Sequence, residues 1–142
     1  MTLRVAERRD LAAIDAMLGA SYPILLKPDY PASILVTAVP LISKANPALV
    51  ASGTYFVVLL DEQVVGAGGW TAAAPPGFRG ATGVGHIRHV VTDHRFVRRG
   101  IAARLMTEVF ETAKRAGIQR LECLSTRTAV PFYVACGFIP GE

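Results

Sequence analysis

The sequence predicts a mixed α/β (α+β) domain, a central sheet with helices on both faces and one parallel βαβ crossover. Three observations carry this reading. Strand-like runs crowd the middle of the chain between residues 54 and 92, a long amphipathic helical pattern follows from residue 101, and another apolar strand-like run at 121–125 comes after that helix. Two strands flanking a helix join as parallel neighbours, whereas strands linked by a tight turn pair antiparallel. With 142 residues, 51% of them hydrophobic, the chain is long enough for one domain, residues 1–142, with a substantial core.

The elements follow in order. Residues 3–6 (Leu-Arg-Val-Ala) read as a short strand, and Asp10 is placed to cap a helix whose apolar positions Leu11, Ile14 and Leu18 recur at helical spacing. From Tyr22 to Ser52, five prolines (23, 28, 31, 40 and 47) cut the chain into short helical pieces such as 32–39 and 47–52. Residues 54–60 are β-branched and aromatic, Asp61-Glu62-Gln63 is a turn, and residues 64–70 continue extended, the pattern of a β-hairpin. A Gly- and Pro-rich loop at 74–85 leads to a strand at 86–92. The long helix then repeats apolar groups at Ile101, Leu105 and Val109 and at Ala102, Met106, Phe110 and Ala113, and stops at Gly117. After the strand at 121–125, residues 129–135 form a short helix ending near Gly137.

Between the strand at 86–92 and the long helix lies a basic, small-residue turn, Arg98-Arg99-Gly100-Ile101-Ala102-Ala103. The first N–H groups of a helix have no internal partner, the macrodipole adds positive potential, and small residues let an anion approach the main chain. No Ser, Thr, Asp or Asn stands there to cap the helix. A pyrophosphate-bearing ligand is the leading inference. The formal charge of +4 is local in origin: Arg95, Arg98, Arg99 and Arg104, four of the 15 Lys and Arg residues, fall within ten positions. Such clustering fits a phosphate ligand rather than a nucleic-acid face, which needs a broader stripe interleaved with aromatics. The N-terminus alternates and carries charge, unlike a signal peptide, and the apolar stretch at 32–42 is broken by Pro40 and falls short of the roughly 20 residues of a membrane span. A cytoplasmic protein without membrane insertion is expected. Cys123 and Cys136 lack metal-ligand spacing and read as reduced structural thiols.

Together these features resemble the GCN5-related N-acetyltransferase (GNAT) family. The turn is similar to the family's Arg/Gln-x-x-Gly-x-Gly/Ala motif, with Val97 in place of the usual first residue. Ala129-Val130-Pro131-Phe132-Tyr133 followed by Gly137-Phe138 is similar to its Ala-x-x-Phe-Tyr-x-x-x-Gly-Phe segment, and the order of elements covers nearly the whole chain. The resemblance implies a mixed, mostly antiparallel central sheet. It also implies acetyl-CoA or coenzyme A as co-substrate, with no metal, bound through Arg98, Arg99, Gly100, Ile101, Ala102 and Ala103 at the pyrophosphate. Family domains commonly continue past Gly-Phe into closing strands, whereas this chain stops at Gly141-Glu142; an open sheet edge covered in a homodimer is the corresponding expectation.

Acetyl transfer to an amine asks for a neutral nucleophile, donors for charge developing on the thioester oxygen, and a proton for the departing thiolate. By its match to the Phe-Tyr pair, Tyr133 is the candidate acid. Family members often carry Glu on the fourth strand where His86 stands here, and imidazole is suited to take a proton near neutral pH. His89, three residues on, is the other candidate base and in a regular strand faces opposite His86; water is the third. The family pattern points to the main-chain N–H of Val90 or Val91 as the oxyanion donor. Splaying of this strand from the next would let the pantetheine arm lie between them, near Thr92, Ser125 and Thr126, the last standing where the family often has Asn.

On the acceptor side, Asp29 is the only carboxylate between Tyr22 and Gly53, which gives little support for a polycationic amine. Tyr30, Tyr55 and Trp70 are candidates to line a pocket. The resulting reading is an acetyl-CoA-dependent N-acetyltransferase acting on a primary amine of a small molecule or protein. Its competitors are a non-catalytic acyl-CoA sensor and a basic nucleic-acid interaction module.

Overall fold

The computed structural model describes residues 1–74 and 79–140. Part of the loop expected at 74–85 lies outside the described residues. Five strands form one sheet in the order β1 (Thr2–Val5), β2 (Tyr55–Leu60), β3 (Gln63–Thr71), β4 (Val84–Thr92) and β5 (Arg120–Glu122). The first three junctions are antiparallel and the last is parallel, pairing Val84, Gly85 and His86 with Arg120, Leu121 and Glu122. The expected fold class is therefore the observed one.

The β2–β3 hairpin closes on two residues rather than three. Asp61 and Glu62 both have positive φ (49° and 66°), which matches the twist of the flanking strands, and Gln63 already pairs with Leu60. Every side chain from Tyr55 to Val58 is buried, because helices cover both faces. On one face Tyr55, Val57, Ala67 and Val91 pack with Ile14, Met17 and Leu18 of helix α1 (Leu11–Leu26) and Leu49 and Val50 of α4 (Pro47–Val50). On the other, Phe56, Val58, Val65, Trp70 and Ile87 pack with Ile101, Leu105, Met106 and Val109 of α5 (Ile101–Arg115).

Three local expectations are corrected. Asp10 does not cap α1; its buried carboxylate takes two hydrogen bonds from the Arg4 guanidinium (2.7 and 2.8 Å) and one from the Glu7 N–H, tying β1 to the helix entry. Pro23 lies inside α1, which runs on to Leu26. The piece expected at 32–39 divides into α2 (Ala32–Thr37) and α3 (Val39–Ile42), with Pro40 in the first turn of α3, where its missing N–H is tolerated. The last helix, α6 (Val130–Ala135), follows β5.

Candidate active site

The strand expected at 121–125 ends at Glu122, and its early end makes the site. Beyond His86, β4 runs on to Thr92 with no neighbour on that side among the described residues, while residues 123–126 turn away. A fork opens between the two strands. A cavity of about 370 Å³ occupies it, with Ile87, His89 and Val90 on one side, Cys123, Ser125, Thr126, Ala129 and Tyr133 on the other, and Tyr22, Tyr30 and Ile42 as the end wall.

The regular alternation expected along β4 is broken by a bulge. Gly69 pairs with Arg88 and Ala67 with Val91, so the single residue Gly68 stands opposite both His89 and Val90. His89 adopts φ 45°, a conformation costly for a side chain with a Cβ, and the Tyr55 hydroxyl donates to its carbonyl at 2.8 Å. Glycines on β3 make the room. A Cβ on Gly68 would lie 2.8 Å from Val90 Cγ2, and one on Gly66 would lie 2.4 Å from Ile101 Cγ2. The same strand thus admits the bulge and the close approach of the α5 N-terminus. Because Asp93 donates its N–H to Val65 at 2.8 Å, alternation turns the Val91 main chain toward β3 and that of Thr92 toward the open side.

Past Thr92, a 3-10 turn (His94–Phe96) leads to the basic segment. Asp93, buried, caps this turn through Arg95 N–H and pairs with the Arg95 guanidinium, which holds its carboxyl below the usual carboxylate range. Arg98 has φ 62° and Gly100 φ 76°, so the chain makes two left-handed steps before α5 begins. None of the N–H groups of residues 98–103 donates to a described residue, and Arg104 is the first to bond back, to Gly100 O. Space beside Gly100 is open: a Cβ there would meet nothing within 4 Å. Arg98, Arg99, Gly100 and Ala103 are exposed, Ala102 is half-buried, and Ile101 is a core residue. Arg99 lies over the Phe96 ring at 5.3 Å. These features fit a pyrophosphate: unpaired donors, an open glycine and adjacent cations.

Tyr133 is 8% exposed and wedged edge-on between Phe132 and Phe138, with its hydroxyl beside the Cys123 thiol. Burial, with the Cys123 thiol beside it, pushes its phenol well above the ordinary range. Burial likewise raises the Cys123 thiol, and raises Tyr22 to about 12. His89 is shifted the other way, below 6.5, by burial and then by the Arg88 charge.

Of the two histidines considered from sequence, the cavity receives His89. His86 is 5% exposed, lies outside the cavity lining, and leaves Nε2 without a partner among the described residues. Ser125, Thr126 and Val90 line the cavity, whereas the Val91 side chain belongs to the α1-side core and Thr92 lies outside the lining. Tyr30 lines it too. Tyr55 and Trp70 do not; they are core residues, with Trp70 Nε1 donating to Thr112 at 2.9 Å. Tyr22 and Ile42 belong to the segment 22–52, from which the sequence leads one to expect a wall of the acceptor side, whereas sequence reasoning missed Ile87, Cys123 and Leu124 as site residues.

Comparison with known proteins agrees with this architecture. The model of the acetyltransferase (GNAT) family matches residues 22–138, and the chain belongs to that family. Among solved structures it is similar to the PaiA N-acetyltransferase of Thermoplasma acidophilum in complex with coenzyme A (TM-score 0.71, 10% identity, covering 96% of this chain and 86% of that one). It is also similar to a predicted acetyltransferase with acetyl-CoA from Clostridium acetobutylicum (0.67, 17%, 99% and 91%). A third is Rv2747 of Mycobacterium tuberculosis in complex with CoA and NLQ (0.66, 21%, 100% and 74%). No match was found among curated proteins.

Proposed function

We propose that the protein is an acetyl-CoA-dependent N-acetyltransferase that passes the acetyl group to a primary amine, on a small molecule or a protein, by direct attack in a ternary complex. The observation that carries this reading is the fork between β4 and β5, which opens onto His89 and Tyr133 together while β4 leads on into the anion-fitting turn. Acetyl-CoA supplies a thioester acetyl group and a pyrophosphate anion. Main-chain N–H groups of Arg98, Arg99, Gly100, Ile101, Ala102 and Ala103 hold that anion, and the Arg98 and Arg99 charges strengthen the attraction. Val90 and the Thr92 main chain on β4, with Ser125 and Thr126 across the fork, flank the pantetheine arm, while Val91, the other residue considered there, faces β3 and the α1-side core.

In this reading, His89 is the base. Its depressed imidazole stays neutral at ordinary pH and accepts the proton that the attacking amine must lose, directly or through water. His86, the other sequence candidate, lies outside the lining, which argues against direct contact with the amine. An N–H of the bulge donates to the charge developing on the thioester oxygen, and alternation from Asp93 favours Val90 over Val91. Tyr133, kept protonated by burial, gives its proton to the departing thiolate. Calorimetric titration of acetyl-CoA into the protein and into Gly100→Glu, followed by an amine screen read as free thiol, tests the proposal. Saturable binding that the variant loses, with turnover of a primary amine, supports it; binding without turnover of any amine favours an acyl-CoA sensor; no binding overturns it.

A further inference from the structure

Resting on the acetyl-transfer reading, we infer that the acceptor amine carries a carboxylate, recognised by the Arg127 guanidinium beside the tyrosine-walled end of the cavity, with Arg88, next to His89 on β4, as the second cation. Among the described residues, no Asp or Glu lines the cavity. Asp29, the nearest carboxylate in sequence to Tyr30, is taken up by the Thr128 hydroxyl at 2.7 Å. A polycationic acceptor would find no carboxylate among the described lining residues to balance its second charge.

Two cations stand in the opposite position. Arg127 lies over the Tyr30 ring at 5.1 Å, and its N–H donates to the Tyr30 hydroxyl at 2.8 Å, so its charge is held at the rim beside a lining residue. Arg88 precedes His89 on β4, is half-buried, and makes one long side-chain hydrogen bond, 3.3 Å to the Thr71 hydroxyl. Neither forms an ion pair with a described residue. Arg88 itself is not a lining residue, but it adjoins His89, which is. A half-buried guanidinium without a counter-charge is costly, and a carboxylate offers it two parallel acceptors. Tyr22 and Tyr30 supply amphipathic walls for the rest of the molecule.

The test is an acetylation panel of the twenty amino acids against their amides and decarboxylated amines, with phosphoethanolamine and spermidine added. Acetyl-CoA affinity is measured in parallel by calorimetry. The expected result is kcat/KM at least about tenfold higher for a carboxylate-bearing amine than for its amide. Arg127→Gln and Arg88→Gln should collapse that ratio toward one with acetyl-CoA affinity unchanged. A preference for the amide, the decarboxylated amine, spermidine or phosphoethanolamine overturns the inference, as does a ratio that survives both variants or a panel with no member turned over. Loss of acetyl-CoA binding by the unmodified protein is the separate outcome that removes the acetyl-transfer reading itself.

Discussion

Tyr133 and His89 are held in protonation states suited to opposite tasks, and each role predicts a distinct loss. Tyr133→Phe keeps the ring between Phe132 and Phe138 and removes only the hydroxyl, so kcat should fall about 100-fold while acetyl-CoA affinity stays within about twofold; an unchanged kcat removes Tyr133 from the chemistry. In the proposed mechanism His89 works as neutral imidazole, its pKa held below 6.5 by burial. Its contribution is present above that depressed value and lost as pH falls through it, so the acid limb of the kcat profile should lie below pH 6.5 and disappear in His89→Ala. A limb that persists in the variant assigns it to another group. The sequence carried the positions of Tyr133 and of the 98–103 turn, because a motif fixes those locally. It did not carry the choice between His86 and His89. That choice depends on a bulge, and a bulge depends on the glycine opposite, a relation across strands that period-2 reasoning along one strand does not contain.

Individual elements owe their positions to small residues and to one ion pair. Gly69 sits where a Cβ would lie 2.2 Å from Thr54 O and 2.6 Å from Tyr55 Cα, both backbone, so Gly69→Ala should lower stability by about 1–3 kcal/mol in denaturant melts. A melt indistinguishable from the parent would mean that β2 and β3 can move apart there. The Arg4–Asp10 pair ties β1 to α1, and the Arg4 hydrogen bonds hold the Asp10 carboxyl below 3.8. A depressed carboxyl stabilises the fold above its unfolded value and loses that contribution as pH falls through its folded value. Asp10→Asn should therefore cost about 2 kcal/mol at pH 7 and converge with the parent once pH falls below the depressed folded value; a pH-independent difference would assign the loss to packing. Elements were read better than their ends. The hairpin and α5 announced themselves by period, whereas the early end of β5 and the passage of α1 through Pro23 are decided by what packs against them, on the far side of the sheet.

At the scale of the whole molecule, the sheet is assembled unevenly. Strands β1 to β4 lie side by side in chain order through three antiparallel ladders, with helices over both faces, while β5 is attached to that block by three residue pairs. The cavity lies along the seam, with His89 on the broad block and Tyr133, Ser125 and Thr126 on the narrow attachment. The two walls should then differ in how often they open. Amides of residues 120–135 should exchange with deuterium through local opening at a lower free energy than amides of β2 and β3, which require global unfolding. A ligand that spans the seam closes the weaker wall against the stronger, so saturating coenzyme A should slow exchange at 120–135 in proportion to its occupancy. Uniform exchange across both walls would show them to be one cooperative unit. A narrow attachment of this kind makes the site its own gauge of occupancy, since the amides that respond to filling belong to the wall that is otherwise free to breathe.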